Sequence, residues 1–439
     1  MTHHVTFVRP AVKGNRWQIV PSLGLGYLSS ALKRHGHATS LVEAWVNDWT
    51  PEQAAIKTYQ QNADVIGIQV FYNTVDWIKA FIRHIRAHRH STLIIIGGPH
   101  VSVKGLQCVS DLGADVGIKG EGEEVFTEWL DNWDGGIPDK PILLTAPRLI
   151  NVNEYPMPDW EMLHLPQYWR FMDSISVPTK GKRVGVIQRS RGCNYPCTFC
   201  AGHVTMGRVV RIRDTSNVME EIEYLRSRHG IDEIWMQDDN TLKDKDASIE
   251  FLEALATLHM PVRFPVGIRT ENIDHDVVHL LKRAGVYFTG VGIETGNPRM
   301  LRVCKKLIKL DKVRDAIGLL DSHGIGTSGY FILGMDTETR EEAYDSLKYA
   351  LSTKLSCAQF GIFNPLPGSE DENVVSLLSD AEYTKMQRNF TIRFYMQPRL
   401  IFRFIFNLRW SQVKSMLKHP WILGWFGIKD NNRRHVVTA

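Results

Sequence analysis

Three closely spaced cysteines are the residues of this sequence whose types and spacing are best suited to chemistry. Cys193, Cys197 and Cys200 lie in the stretch QRSRGCNYPCTFC. A structural zinc site takes four ligands, usually as two separated pairs, and no second Cys-x-x-Cys or His pair occurs at a suitable separation. Three thiolates on one loop can instead bind three irons of a four-iron, four-sulfur cluster and leave the fourth iron open, while Arg189 and Arg191 offset their charge. The spacing therefore favours a cluster over zinc or chance clustering.

The sequence before this motif alternates short apolar runs with helical patterns. Five runs rich in Val and Ile predict strands: VTFV, ATSLVEA, DVIGIQV, TLIIIGG and ADVGIKG. Between them, apolar residues recur at helical spacing in GLGYLSSALKRHG and VDWIKAFIRHIRAH. This alternation predicts an α/β fold with a Rossmann-like, doubly wound parallel sheet, whose ligands lie beyond the carboxyl ends of the strands. At those ends the sequence has QVFYNT, GGPHVS and KGEGEE.

A second alternating series contains the cysteine motif. Its strand patterns run from RVGVIQRS to CAQFGIFNPLPG, and the cysteines follow the first of them. About six strand–helix units predict a partial (β/α)6 barrel with its active site at the strand C-termini. We therefore predict a first domain over 1–145, a Pro-rich and aromatic-rich linker over 146–185, a barrel over 186–370 and a helical C-terminal segment over 371–439.

Composition and charge exclude several classes of protein. The net charge of +4 is small and the basic residues are spread along the chain, which argues against a nucleic-acid-binding surface. The other cysteines, Cys108, Cys304 and Cys357, are scattered and do not form the framework of a small secreted domain. The N-terminus lacks the pattern of a signal peptide, and no run of about 18 apolar residues occurs. We expect a cytoplasmic protein without a spanning helix.

The pattern Cys-x-x-x-Cys-x-x-Cys, with an aromatic residue before its last cysteine, resembles the motif of the radical S-adenosylmethionine superfamily. Nearly the whole chain is similar to the cobalamin-binding subclass. IIIGGPHVS and ADVGIKGEGEEVF resemble its first domain, and GVGIETGNPRML and GYFILGMDTETREEA resemble its barrel. The resemblance implies a four-iron, four-sulfur cluster, S-adenosylmethionine and cobalamin as cofactors. It also implies a small-molecule or lipid-like substrate and an electron donor such as a flavodoxin or ferredoxin.

The resemblance further implies roles for individual residues. Cys193, Cys197 and Cys200 would ligate the cluster as the catalytic metal ligands. The residues that would contact the adenine, the ribose or the methionine end of S-adenosylmethionine are Phe199, Gln237, Asp238, Asp239, Glu294, Phe331 and Leu333. The residues that would line the loops under the corrin, or let the first helix approach it, are Gly24, Gly97, Gly98, Pro99, His100, Glu121, Gly122 and Glu123.

One histidine motif of cobalamin proteins occurs in the wrong place. Asp321, His323 and Gly326 match an Asp-x-His-x-x-Gly pattern that supplies a cobalt ligand in some of them, but here it follows a barrel helix. The expected position after the first strand, VRPAVKGN, has no histidine. We therefore expect the lower face of the cobalt to lack a protein imidazole.

Three functions fit these features. The resemblance favours methylation of an unactivated carbon through a deoxyadenosyl radical and methylcobalamin. The first alternative uses the same cofactors for a methyl-free oxidation, cyclisation, rearrangement or carbon–carbon coupling, and the second is a cobalamin or redox sensor. After Pro398, apolar and basic residues recur at helical spacing, which predicts either an ordinary packed helix or an amphipathic segment at a membrane surface.

Overall fold

The chain forms two compact units in a computed structural model that describes residues 2–12, 19–88, 92–147, 151–172, 179–239 and 241–407. The first unit comprises Met1–Ser174, Lys182–Asn194 and Ala201–Ile231. The second comprises Ile175–Gly181, Tyr195–Cys200 and Asp232–Ala439. This grouping follows packing, whereas the domain boundaries given above divide the chain by sequence and stay a prediction.

The first unit is built on a parallel sheet of six strands in the order β2-β1-β3-β4-β5-β6. The strands are β1 His4–Arg9, β2 Ala38–Glu43, β3 Val65–Gln69, β4 Leu93–Gly97, β5 Val116–Lys119 and β6 Ile142–Thr145. Nearly every residue of β1, β3 and β4 is buried, because helices cover both faces of the sheet, and this explains their continuous apolar runs. The strand order reverses between β1 and β3, so the predicted doubly wound sheet is confirmed.

Helices connect these strands and cover the sheet. They are α1 Leu23–Arg34, α2 Ala44–Asn47, α3 Pro51–Tyr59, α4 Val75–His88, α5 Pro99–Lys104, α6 Leu106–Leu112, α7 Glu123–Asp131, α8 Trp160–Leu163 and α9 Pro166–Met172. Helix α4 shows why its sequence folds this way. Ile78, Phe81, Ile82 and Ile85 recur at helical spacing and are all buried in the core.

The first unit also contains the elements on either side of the cysteine motif. They are β7 Val184–Ile187, β8 Ser190–Arg191, α10 Gly202–Met206, β9 Arg211–Ile212 and α11 Thr215–Tyr224. Strands β8 and β9 pair antiparallel as a two-stranded sheet. The cysteine motif is therefore flanked on both sides by structure that belongs to the first unit.

The second unit holds five parallel strands in the order β14-β13-β12-β11-β10. The strands are β10 Glu233–Met236, β11 Val262–Phe264, β12 Val286–Glu294, β13 Gly326–Leu333 and β14 Cys357–Ile362. The helices after them are α12 Lys245–Ala256, α13 His275–Arg283, α14 Pro298–Val303, α15 Leu310–Ser322, α16 Arg340–Leu351, α17 Asp380–Tyr395 and α18 Pro398–Asn407. Every strand here is followed by a helix, which confirms the predicted second alternating series.

The described part of the C-terminal segment contains two helices, α17 and α18. Leu400, in the first turn of α18, is buried in the apolar core of the second unit with Phe390 and Phe394. The Arg399 guanidinium donates to the Thr353 carbonyl at 2.8 Å. The rest of the predicted amphipathic stretch, from residue 408, lies outside the described residues. No helix among the described residues is long and apolar enough to cross a membrane.

Candidate active site

The cysteine loop begins at a glycine that no other residue could replace without a shift of the backbone. Gly192 has a φ of +96°, and a Cβ there would lie 2.2 Å from the Val209 carbonyl oxygen. The backbone N–H of Cys193 donates to the Gly207 carbonyl at 3.0 Å. All six cysteines lie in described segments as reduced thiols. Only the three of the motif are partly exposed and thus accessible to a ligand.

Contacts to Thr198 and Tyr195 hold the second half of the loop. The backbone N–H of Thr198 donates to the Cys304 carbonyl at 3.2 Å, and its hydroxyl donates to the Asp371 carboxylate at 2.7 Å. Asp371 returns a backbone hydrogen bond to the Thr198 carbonyl at 3.2 Å. The guanidinium of Arg269 lies 3.4 Å from the centroid of the Tyr195 ring. These contacts link the cysteine loop to segments far away in sequence.

The three cysteines do not form the ligand set of a single metal ion. In the part of the chain that the structure describes, no three His, Cys, Asp or Glu side chains converge on one ion position. A four-iron cluster does not require such convergence, because each thiolate binds a different iron. Partly exposed thiols on a loop that is anchored at Cys193 and Thr198 fit the cluster predicted from the spacing.

A buried lysine, which the sequence reasoning missed, lies near this loop. Lys306 Nζ donates to Glu294 Oε1 at 2.8 Å, and both side chains are almost fully buried. Burial alone would lower the pKa of Lys306, but the carboxylate of Glu294 and the thiolate of Cys197 raise it above its usual value. Lys306 is therefore a fixed positive charge that acts on one of the predicted cluster ligands.

Glu294, the predicted ribose contact, ends strand β12 in a strained backbone conformation. Its φ is +66°, which is rare for a residue with a side chain, and the Thr295 N–H donates back to the Ile293 carbonyl at 2.9 Å. Gly292 makes room for the ion pair, since a Cβ there would lie 2.7 Å from Glu294 Oε1 and 2.9 Å from Lys306 Nζ. Backbone strain of this kind often occurs at functional sites.

Phe199 and Cys304 lie in one apolar cluster. Phe199 is partly buried and packs against Met300, Cys304, Met335 and Phe363. Burial raises the pKa of the Cys304 thiol to about 12, so Cys304 stays protonated near neutral pH. Cys304 is therefore a small buried apolar residue. The predicted contact of Phe199 with the adenine stays a prediction.

The predicted residues at the end of β13 can serve a ligand only through their backbone. The side chains of Phe331 and Leu333 are buried, and Phe331 stacks on Phe360 with ring centroids 5.1 Å apart. The Leu333 carbonyl already accepts from the Phe363 N–H at 2.7 Å. After β10, Gln237 is partly buried, Asp238 is fully buried and Asp239 is exposed.

The turn after β13 contains a buried carboxyl group that the sequence reasoning did not identify. Glu338 Oε2 accepts from the Gly334 N–H at 2.5 Å, and Glu338 Oε1 has no hydrogen-bond partner among the described residues. Burial raises the pKa of Glu338 from 4.5 to about 7. The protonated form therefore persists in the folded protein at a pH where the unfolded chain is ionised.

We predict a pH-dependent effect of Glu338→Gln on stability. Between about pH 4.5 and pH 7 the folded state binds more protons at this group than the unfolded state, so the free energy of unfolding falls as pH rises. Glutamine keeps an acceptor for Gly334 without a charge. It should stabilise the protein by on the order of 2 kcal/mol at pH 8 and by little at pH 4.5, as measured by thermal unfolding. Equal effects at both pH values would contradict the raised pKa.

On the first unit, the predicted corrin-side residues lie at the carboxyl ends of β4 and β5. Gly98 has a φ of +110°, and the Val70 N–H donates to the Gly97 carbonyl at 2.7 Å. Pro99 is the first residue of α5, and the backbone N–H of His100 donates to the Val70 carbonyl at 3.2 Å. His100 Nδ1 is buried without a hydrogen-bond partner among the described residues, and burial lowers the pKa of this imidazole. The neutral His100 ring, with its Nδ1 available at a strand end, is therefore suited to hydrogen-bond a bound ligand.

The carboxylates of the second corrin-side loop bind protein. Glu121 and Glu123 are buried and pair with Arg211 and Arg191. The guanidinium of Arg191 also lies 4.6 Å from the centroid of the Tyr27 ring. The proposal that Arg191 offsets the charge of the cysteine thiolates is therefore not supported, because its charge is already balanced. His323 of the Asp-x-His-x-x-Gly pattern lies between α15 and β13 in the second unit, as its position in the sequence indicated.

We predict that Gly24→Ala weakens cobalamin binding without destabilising the protein. Gly24 is exposed in α1, and a Cβ there would meet no atom within 4 Å, so the fold itself does not require glycine. Alanine is the better helix former, so the melting temperature should stay equal or rise. A corrin that approaches α1 would meet the new methyl group, and the Kd for cobalamin should rise about tenfold.

Gly318→Ala is the matched control for this variant. Gly318 lies in α15 of the second unit, and a Cβ there also meets nothing within 4 Å. It should leave cobalamin binding unchanged. An unchanged Kd in Gly24→Ala would remove Gly24 from the corrin site.

Two family models match the chain in the order in which the two alternating series occur. The B12 binding domain matches residues 10–130, and the Radical SAM superfamily matches residues 187–350. Cytidylyl-2-hydroxyethylphosphonate methyltransferase of Streptomyces wedmorensis is 26% identical over 407 residues, which are 79% of this chain and 76% of that protein. Anaerobic magnesium-protoporphyrin IX monomethyl ester cyclase of Rubrivivax gelatinosus is 25% identical over 390 residues, 83% of this chain and 69% of the cyclase.

The fold is also similar to that of a solved structure. The radical S-adenosylmethionine methyltransferase TsrM from Kitasatospora setae, with cobalamin and a four-iron, four-sulfur cluster bound, superposes with a TM-score of 0.67. The match covers 85% of this chain and 77% of that chain at 17% identity, so it shows the fold. Both domain matches and the cysteine motif agree with the resemblance found in the sequence. The chain belongs to the cobalamin-binding radical S-adenosylmethionine enzymes.

Proposed function

We propose that the protein methylates an unactivated carbon of a small or lipid-like molecule. The observation that carries this proposal is the match with a methyltransferase over 79% of this chain and 76% of that protein. A match of that length extends into both the series that would bind cobalamin and the series that carries the three cysteines. When bound, the cluster would supply the electron that cleaves S-adenosylmethionine, and cobalamin would carry the methyl group.

The chain's own residues would bind and position these groups. Cys193, Cys197 and Cys200 would each bind one iron, and the loop contacts at Gly207 and Asp371 would fix their backbone. Lys306 would balance thiolate charge and hold the Glu294 carboxylate toward the ribose. The strand ends at Gly97, Gly98 and His100 would lie under the corrin. No residue in this proposal needs to act as a general base.

Transfer of a labelled methyl group tests the proposed reaction. The reconstituted protein would be incubated without oxygen, with S-adenosylmethionine labelled in its methyl group and an extract of small molecules and lipids from its own organism. Label in the carbon skeleton of a product, together with deoxyadenosine, is the expected result. Deoxyadenosine without label transfer would overturn methylation and support the alternative.

The alternative is a methyl-free oxidation, cyclisation, rearrangement or carbon–carbon coupling with the same cofactors. The observation that favours it is the similar coverage of the anaerobic cyclase, 83% of this chain at 25% identity. Its expected product differs from its substrate by loss of hydrogen or a new bond and not by an added methyl group. Mass spectrometry of the same incubation separates the two reactions.

We further propose that an external electron donor reduces the cluster. We also propose that the segment after α18 makes a peripheral membrane contact. The mixed basic and apolar sequence from residue 398 onward supports the second proposal. Because Leu400 is part of the core, the informative truncation ends after Asn407 and so keeps α18. We predict that the intact protein floats with anionic liposomes at low salt and that the truncated protein does so less. Equal flotation of both proteins, or none, would contradict a membrane role.

A further inference from the structure

A buried ion network in the first unit connects the loop after β5 with the two-stranded sheet beside the cysteine motif. The carboxylate of Glu121 accepts from both terminal nitrogens of Arg211, at 2.6 and 2.9 Å. Arg191 pairs with Glu123 at 2.7 Å and reaches Glu121 at 3.4 Å. All four side chains are less than a tenth exposed. Two-pronged charged contacts of this kind fix the relative position of the elements that carry them.

The two arginines lead directly to the first cysteine. Arg191 and Arg211 are cross-strand partners in β8 and β9. Arg191 is followed by Gly192, which approaches the backbone of Val209 too closely for any side chain, and then by Cys193. The backbone position of Cys193 therefore depends on the sheet that the arginines hold.

At its other end, the network reaches both predicted corrin-side loops. The hydroxyl of Ser102 donates to the Gly98 carbonyl at 3.0 Å and accepts from the Gly120 N–H at 3.1 Å. This one side chain ties the loop after β4 to the loop after β5. In addition, α10 packs against α5. A continuous set of contacts thus runs from Gly98 through Glu121 and Arg211 to Cys193.

We propose that Arg191 and Arg211 are positioning residues that couple corrinoid binding to cluster assembly, so that each stabilises the other. The inference rests on the proposed function, because it takes the loops after β4 and β5 as the corrin side. Each bound group would contact one end of the same network, so a group bound at one end would further restrict the elements that position the other group. By thermodynamic linkage, the cluster and the corrinoid must each tighten the binding of the other by the same factor.

Arg211→Lys is the variant that tests this coupling. Lysine keeps the charge but lacks the planar fork that bonds both oxygens of Glu121. The Kd for hydroxocobalamin would be measured by tryptophan fluorescence, without oxygen, for the cluster-loaded protein and for the same protein after removal of its iron. We expect the loaded wild-type protein to bind about tenfold more tightly than the iron-free protein. In Arg211→Lys this ratio should fall to about twofold or less.

Arg86→Lys is the matched control. Arg86 of α4 pairs at 2.6 Å with Asp115, which lies in the same unit just before the amino end of β5. The Arg86→Lys variant should leave the ratio at its wild-type value. A second readout is the rate at which an iron chelator removes the cluster. Corrinoid should slow this loss in wild type and in Arg86→Lys but not in Arg211→Lys. Neither readout depends on turnover.

The outcomes separate this inference from the proposed function. Equal Kd values with and without the cluster in wild type, or a full wild-type ratio in Arg211→Lys, would overturn the coupling. Wild-type protein that binds no corrinoid in either form would overturn the proposed function itself. Glu121→Gln, which keeps the shape of the side chain, replaces Arg211→Lys if circular dichroism shows that the lysine variant is unfolded, and the same ratio then decides.

Discussion

Replacement of Cys193, Cys197 and Cys200 together by alanine is expected to abolish both the brown chromophore and the production of deoxyadenosine. The three are the partly exposed cysteines of the chain and lie on one anchored loop, whereas the other cysteines are buried. Removal of all three thiolates leaves a cluster no protein ligand of the kind it requires. Iron content, the visible spectrum and chromatography of the nucleoside products measure the effect.

Cys108→Ala is the control for this variant. Cys108 is buried in the core of the first unit, and burial raises the pKa of its thiol to about 11, so it is protonated near neutral pH. The control should retain full iron content and deoxyadenosine production at a small cost in stability. Cluster iron retained in the triple variant at the wild-type level would refute the assignment of the motif.

Lys306→Met is expected to reduce the rate of S-adenosylmethionine cleavage by about 10- to 150-fold, because a hydrogen bond to a charged group contributes about 1.5–3 kcal/mol. The change removes the positive charge that acts on Cys197 and leaves the Glu294 carboxylate without its partner. A buried charge without a partner should also lower the free energy of unfolding by about 3–5 kcal/mol. Deoxyadenosine formation and denaturant unfolding measure the two effects.

Two further variants separate function from stability at this position. Lys305 is the neighbouring residue, and its pair with Glu370 is exposed, so Lys305→Met should change neither quantity appreciably. The double variant Lys306→Met with Glu294→Gln removes both charges and should recover most of the stability. If the double variant also recovered activity, the role of Lys306 would be structural only.

The order of strands and helices could be predicted from sequence because local patterns determine it. Val-rich and Ile-rich runs between polar turns are typical of strands in a parallel sheet that helices cover, and all five predicted strands of the first series form. GGPHVS and KGEGEE lie at strand ends because they directly follow those runs. The cysteines could be identified because their three positions are close in sequence.

The partners of the charged residues could not be predicted, because they lie far apart in the sequence. Glu121 and Arg211 are 90 positions apart and Thr198 and Asp371 are 173 positions apart, and no local pattern indicates either pair. The carboxylate of Glu121 binds Arg211, and the position of this residue beside the corrin stays a prediction. The sequence CKK after GNPRMLRV shows two adjacent lysines, Lys305 and Lys306. Only the fold shows that Lys305 is exposed and Lys306 is buried.

The interleaved ranges of the first unit have a consequence for how the protein is made. Its sheet is complete by residue 145, but the unit also needs Lys182–Asn194 and Ala201–Ile231. The ribosome synthesises Glu121 and Glu123 before their partners Arg191 and Arg211. Until the arginines emerge, burial of the two carboxylates is unfavourable because their charges are not balanced. The nascent first half therefore stays incompletely folded until more than half of the protein has emerged. A fragment cut at residue 145 would remain in that state and would be prone to aggregate.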